Sequence, residues 1–533
     1  MIHNNKRLRV LLGELLLVLL APQVLHAQAE AGGAPASQAP LHFDVAEFRV
    51  LGNTVLPVTA VEAAVYPYLG PQKTLEDVES ARVALENAYR AAGRGTVFVD
   101  IPEQDVNEGI VRLKVTEGRL RQIRVQGARF FSGRKILAAL PAADKAQVPD
   151  LPQLQRELAT LNVQTADRSV VPVLGAGSVP GTVNLTLRVD DHLPLHATAE
   201  LNDQYTADTS RLRATVGFSY DNLFDRLDSV GLQYQTAPEE PGELGVFVAS
   251  YTRNLGAGRR LGLFFVDSDS DVAALGTLSV LGRGKVYGSR LILPFSSGTD
   301  STHALTLGVD YKDFLENIRL DAESAFATPI SYLNFSLGSS STWNFSGHEF
   351  SISPTVNFGV RGGINTEQEF ADKRFRGRPN YFYLRAGASY RTPAWHGLAV
   401  AARLAGQYTV EPVIGNEQFT IGGADSVRGY LEAEQLGDIG FSGSLQLETA
   451  ALPLGFADST LTGFLFFDAG RISVVAPLPD EPREADLSSW GAGMRFLLSR
   501  YLQGQFAWAY PLVPGSRTEI GDSRLNFMLR ASW

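Results

Sequence analysis

There is no cysteine anywhere in this 533-residue chain. Small disulfide-stapled folds are therefore excluded, and an exported chain of this kind must hold itself together by packing and backbone pairing alone. No basic tract occurs and the net charge is −10, which argues against nucleic acid as a partner. Beyond the first thirty residues no run approaches the ~20 uninterrupted apolar residues that a membrane-spanning helix needs. Chemistry-bearing motifs are missing too. The eight histidines show no ligand spacing, no Gly-x-Ser-x-Gly elbow occurs, and no nucleotide-binding motif appears, so neither an enzyme nor a bound cofactor or metal is expected. "DSDSD" (Asp267 to Asp271) has the acidity of a calcium loop but lacks its glycine and closing glutamate, and reads as a solvated outer loop.

The N-terminus has what the rest lacks. "MIHNNKRLRVLLGELLLVLLAPQVLHAQA" sets a basic stretch (Lys6, Arg7, Arg9) before an apolar run and a small-residue Ala27-Gln28-Ala29 site. That is the layout of a secretory signal peptide over residues 1–29. A membrane anchor would need a longer run, and Glu14 interrupts this one. A short linker, 30–41, follows.

Glycine is plentiful (51) and aromatics stand at 10%. From about Leu195 onward, apolar residues alternate with small or polar ones, the period-two pattern of strands with two unlike faces. In "LRATVGFSY", Leu212, Ala214, Val216, Phe218 and Tyr220 share one face against Arg213, Thr215, Gly217 and Ser219. "SISPTVNFGVR" behaves alike, and the closing "LNFMLRASW" puts Leu525, Phe527, Leu529, Ala531 and Trp533 together. A soluble sandwich also alternates, but it rarely spreads such strands over ~340 residues without splitting into domains. Connections alternate as well: "DNLFDRLD", "RNLGAGRR" and "RTPAWHG" are short, whereas "DSDSDVAALGTLSVLGRG" and "GGINTEQEFADKRFRGRPN" are long. Residues 192–533 are thus expected to form a transmembrane β-barrel of about sixteen antiparallel strands, its long loops outside the cell. Phe527 and the terminal Trp533 form the aromatic end signal of that barrel.

The upstream stretch is different in kind. "FDVAEFRVLGN" reads as a strand, "VTAVEAAVYPYL" as a short helix, and "TLEDVESARVALENAYRAAG" as a longer one. The longer helix has Thr74 as N-cap with Asp77 three residues on, apolar positions at Leu75, Val78, Leu85 and Tyr89, and Gly93 as its stop. "TVFVDIP" and "GIVRLKVTEG" complete a βααββ order, which recurs from "RLRQIRVQG" to "GTVNLTLRV".

Tandem βααββ units before a barrel resemble POTRA domains, here 42–118 and 119–191. The whole chain resembles the two-partner secretion transporters (TpsB, the haemolysin secretion-activation family). Matching stretches are "VLGNTVLP", "YRAAGRGTVFVDIPEQDVNEGIVRLKVTEG", "PGTVNLTLRVDD", "IGGADSVRGY" and "FFDAG". The resemblance implies an outer-membrane protein with its POTRA domains in the periplasm. It also implies a large secreted partner, exported unfolded, that passes the pore without ATP. A monomer embedded in outer-membrane lipid is expected. Assembly factors for other barrels share the loop motif but usually carry more POTRA units, and a passive porin would have no use for two.

In the family the loop between strands eleven and twelve, here 411–440, folds back into the lumen. The resemblance carries its arginine to Arg428, flanked by Gly422, Gly423, Val427, Gly429 and Tyr430. On the strand that follows, Asp468 shares parity with Phe466 and Gly470, while Leu461, Leu465 and Phe467 form the uniformly apolar face. Lipid forbids an unpaired carboxylate, so the Asp468 face is the lumen, and an Arg428–Asp468 latch is expected. Shielded from solvent, it exceeds the ~0–1 kcal/mol of a surface pair. Leaving one member alone costs ~3–5 kcal/mol in a dry lumen. Family members often carry an N-terminal plug helix. "EAGGAPASQAP" is too short and too rich in Gly, Ala and Pro for one, which leaves the loop to close the pore.

Overall fold

The computed structural model describes residues 41–533 other than 107, 208, 271, 276–277, 299, 316, 320–324, 363, 457 and 480. The expected signal peptide, and all but the last residue of the linker, lie outside the described residues. The chain divides into two compact units. One is made of the chain up to Arg121 with Ala146–Leu151 and Gly177–Val183; the other comprises Gln122–Lys145, Pro152–Ala176 and Asn184–Trp533.

In the first unit the helix Leu75–Ala91 starts where the sequence places it. Thr74 and Asp77 form a reciprocal capping box, and Gly93, at φ +79°, ends the helix. Its buried face is Val78, Ala81, Leu85 and Tyr89. Leu75, expected on that face, is 69% exposed: it is the first helical residue, a turn before the first buried position, Val78. The expected opening strand is two, Phe43–Val45 and Glu47–Leu51, the former pairing with a strand the sequence did not reveal, Gly70–Lys73. Glu47–Leu51 runs parallel to the central strand Ile110–Glu117, and Val97–Asp100 lies antiparallel on its other side as an edge. Leu85, Tyr89, Val97, Leu113 and Val115 make the core. The second βααββ stretch runs Arg119–Gln126, Gly133–Ala138, Leu151–Val163, Arg168–Ala176 and Thr182–Asp191, with the last of these central in its sheet.

From Leu195–Asn202 to Arg524–Ser532, sixteen antiparallel strands among the described residues close into a barrel. Closure is made by the last strand against the first, Ala531 opposite Ala199, and Trp533 continues the ladder by bonding Ala197 in both directions (3.0 and 3.2 Å). Trp533 itself is 60% exposed, as an aromatic at a lipid interface would be. The alternation works inside out. Val216, Phe218, Leu232 and Tyr234 point outward and exposed, while Arg213, Thr215 and Gln235 are buried inward. Short turns such as Gly256 to Arg259 and Phe345 to His348 alternate with long connections such as Gly359 to Phe382 and Thr409 to Ile439. One expectation fails here. Asp267 and Asp269 lie within the fifth barrel strand, Arg259–Asp269, with Asp267 opposite Lys285, rather than in an outer loop. Asp271 lies outside the described residues.

Candidate functional site

The eleventh barrel strand, Leu398–Thr409, delivers the chain to the longest excursion that returns to the wall. A single 3-10 turn, Gly415–Glu417, leads into a two-stranded ribbon of Phe419–Ile421 with Gln435–Gly437. Gly422 (φ +101°) and Gly423 (φ +105°) turn the chain out of that ribbon into its tip. A Cβ on Gly422 would stand 2.6 Å from the Leu431 carbonyl, so no larger residue fits. Gly429, at φ +94°, makes the second turn beside Ala509 on the wall, next to Arg428.

Asp468 sits on the thirteenth barrel strand, Thr460–Ser473, between Ser444 on the twelfth and Ser489 on the fourteenth. That is one strand beyond the one into which the loop leads, so the tip reaches across a strand to its partner. Phe464, Phe466, Asp468 and Gly470 are on the lumen side, whereas Leu465 and Phe467 are exposed on the lipid side.

The structure brings Arg428 and Asp468 together. Nε donates to Oδ2 at 2.7 Å and Nη2 to Oδ1 at 2.7 Å, a bidentate fork, and the Arg428 backbone amide adds a third bond at 3.2 Å. Nη2 also donates to Ser444 Oγ at 3.0 Å. The Gln446 amide, with its oxygen toward the guanidinium, accepts from Nη1 and Nη2 at 3.1 and 3.0 Å and passes a bond on to Glu448. The guanidinium lies 3.5 Å above the centroid of Phe466. Arg428 is 2% exposed and Asp468 0%. A charge buried so completely is tolerable only because every donor faces an acceptor or a ring.

The neighbours shape that pocket. Gly491 and Gly493 on the fourteenth barrel strand leave room for the rings of Phe466 and Phe464; a Cβ on Gly491 would meet Phe466 at 2.5 Å. Gly470 admits the tip, a Cβ there standing 3.1 Å from both Ile421 and Val427. Val427 and Tyr430 pack with Phe419, Ile421, Ile472 and Leu487. The Tyr430 hydroxyl lies within bonding distance of the Ser488 and Val513 carbonyls (2.8 and 2.7 Å). Phe527 is not part of this group; its amide donates to Asp203 near the barrel seam, at 2.8 Å.

Sequence reasoning missed the stem of the loop. Glu417, 2% exposed, accepts from Lys312 Nζ (2.5 Å), Tyr332 Oη (2.5 Å) and Tyr383 Oη (2.7 Å). Asp438, fully buried, accepts from the amides of Val413 (2.9 Å) and Val475 (2.7 Å) and from Arg374 (3.4 Å). Glu434 accepts from Thr518 Oγ1 and three backbone amides. Lys312, Tyr332 and Tyr383 stand on wall strands whose alternation marks them as lumen-facing, but nothing local ties them to Glu417 across such separations. Ser444, Gln446 and Glu448 were legible in principle, sharing the polar parity of "GFSGSLQLET".

A closed barrel turned polar-side inward, an α+β unit upstream and a loop returned to the wall define an outer-membrane POTRA-barrel protein. Comparison with known proteins narrows that class. Residues 43–118 match the family model "POTRA domain, ShlB-type", and 299–496 match "Haemolysin secretion/activation protein ShlB/FhaC/HecB". The outer membrane transporter CdiB of Dickeya dadantii (strain 3937) is 25% identical over 488 residues, covering 88% of this chain and 83% of that protein. CdiB of Escherichia coli O6:K15:H31 is 23% identical over 88% of this chain and 79% of its own length. Among solved structures, CdiB from Escherichia coli superposes with a TM-score of 0.60 at 19% identity, over 94% of this chain and 93% of that one. BamA from Haemophilus ducreyi lacking POTRA domains 1–3 gives 0.57 at 15% identity, over 92% and 100%, a likeness of fold. The chain is an outer-membrane transporter of the two-partner secretion type, with its POTRA portion in the periplasm.

Proposed function

We propose that this transporter carries one large exported partner, delivered unfolded to the periplasm, through its barrel as an extended chain. Residues 42–118 and 119–191 act as two POTRA domains in that scheme. The edge strand Val97–Asp100, beside the helix Leu75–Ala91, is the place for an extended guest to add a strand by main-chain pairing. Phe98 on that edge is 56% exposed and supplies an apolar contact. The protein works as a monomer in outer-membrane lipid, and folding of the cargo at the cell surface supplies direction.

The observation that carries this reading is the buried Arg428–Asp468 fork at the tip of a loop occupying the lumen. Residues 411–440 then act as a gate and the fork as its latch. Beside the tip a cavity of about 260 Å³, lined by Glu200, Arg403, Asp425 and Arg495 among others, gives a polar surface along which a chain can slide. Mass spectrometry of culture medium and outer membranes, with and without the protein, tests it. Loss of one large protein from the medium with other barrels unchanged is expected. A general fall in outer-membrane barrels would point to assembly instead.

A further inference from the structure

Away from the loop, three side chains converge where the second βααββ stretch meets the wall. Asp167 stands one residue before the strand Arg168–Ala176, His196 on the first barrel strand, and Asp221 on the second, Arg213–Leu223. His196 Nε2 lies 3.2 Å from Asp167 Oδ2 and 3.4 Å from Asp221 Oδ2, and the three donor atoms all fall within 4.8 Å of one another. Asp167 is nearly buried, its side chain 10% exposed, while His196 and Asp221 keep 38% and 35% of theirs open to solvent.

We propose that Asp167, His196 and Asp221 form a binding site for a divalent transition cation of the zinc type, tying the second βααββ stretch to the first two barrel strands. Two carboxylates and one imidazole nitrogen are the hard and borderline donors such an ion takes, and three protein ligands leave a fourth position for water. The spacing agrees. Bonds of ~2.0–2.1 Å in a tetrahedron put neighbouring donors ~3.3–3.4 Å apart. Hydrogen bonding alone explains the arrangement less well. Neutral imidazole carries at most one proton on Nε2, so it can serve one of the two carboxylates and leaves the other facing a lone carboxylate neighbour. The Thr165 hydroxyl, 3.2 Å from Asp167 Oδ2, holds that carboxylate in place from behind.

The alternative to a metal is a clasp made by His196 between the two carboxylates, and direct metal binding separates them. The test is calorimetric titration of Zn²⁺ into the untagged full-length protein in detergent micelles. We expect one saturable site per chain, abolished by His196→Ala and weakened ~10-fold or more by Asp221→Asn. Each variant should still show the heat-dependent gel shift of a folded barrel, and Co²⁺ in place of Zn²⁺ should give the visible absorption of four-coordinate cobalt. Absence of saturable binding at pH 7.5, or binding unchanged in both variants, overturns the proposal. A stability that falls in His196→Ala without any Zn²⁺ binding in the parent overturns it equally, leaving an ion clasp.

Discussion

The tip and the stem of the inserted loop are held to the same wall by opposite strategies. At the tip one guanidinium is the polar hub: Asp468, Ser444, Gln446 and the ring of Phe466 all converge on Arg428, with Val427 and Tyr430 packed beside it. At the stem the load is divided among Glu417, Glu434 and Asp438, each with partners on different strands or loops. Removing the Arg428 side chain strips four contacts from the tip at once, whereas no single deletion removes the stem's. If the loop is the proposed gate, it should release from the tip first and stay tethered at its base.

The largest effect should come from the tip. Arg428→Ala leaves Asp468 buried without its guanidinium, only the backbone amide remaining, a loss of ~3–5 kcal/mol from the closed arrangement if the lumen stays dry. Planar-bilayer recordings should then show raised open probability in a barrel that still migrates as folded. Glu417→Gln probes the stem. Its one amide oxygen can accept from only one of the two tyrosine hydroxyls, and the charge opposite Lys312 is lost, so we expect a stability loss of ~1–3 kcal/mol, read as a lower unfolding temperature, with conductance unchanged. If Glu417→Gln opens the pore as Arg428→Ala does, the contrast between tip and stem collapses.

A smaller effect separates charge from shape. Gly491→Ala puts a Cβ within 2.5 Å of Phe466 and 2.0 Å of the Trp508 carbonyl. Strain of ~1–3 kcal/mol should tilt the ring from beneath the guanidinium and loosen the tip without touching a charge. Secretion assays ranking Gly491→Ala between the parent and Arg428→Ala would agree.

The smallest effect lies in the first unit, where the interior is apolar rather than polar. Burial would push the Glu117 carboxyl up. The Thr54 hydroxyl and amide (2.5 and 2.6 Å) and the Arg119 guanidinium (2.8 Å) outweigh that and hold it below the ordinary value. A depressed carboxylate stabilises above its unfolded pKa of ~4.3 and loses that contribution as pH falls through the folded value. Acid titration followed by circular dichroism should therefore show Glu117→Gln with a flatter response below pH ~4.3 than the parent.

What the sequence made legible follows from periodicity. Sixteen strands, the lumen parity of Asp468 and the Thr74 capping box each repeat a local rule that one segment states by itself. Non-local facts were hidden. Glu417 finds Lys312 and Tyr332 only because the barrel closes, and no spacing in the chain announces it. Leu75 failed for the complementary reason: as the first helical residue it lies a turn before the buried face begins at Val78. Asp267 was misread because the barrel strand runs on through the acidic stretch to Asp269, with Asp267 opposite Lys285.

The most direct test of the gate is a double-mutant cycle on the latch, read as open probability in planar bilayers. Arg428→Ala, Asp468→Ala and the double variant should each open the pore, with the double no more open than the worse single, because one interaction is being removed three ways. Additive effects, or folded variants that conduct and secrete as the parent does, would show that the fork fastens the barrel wall and does not gate it.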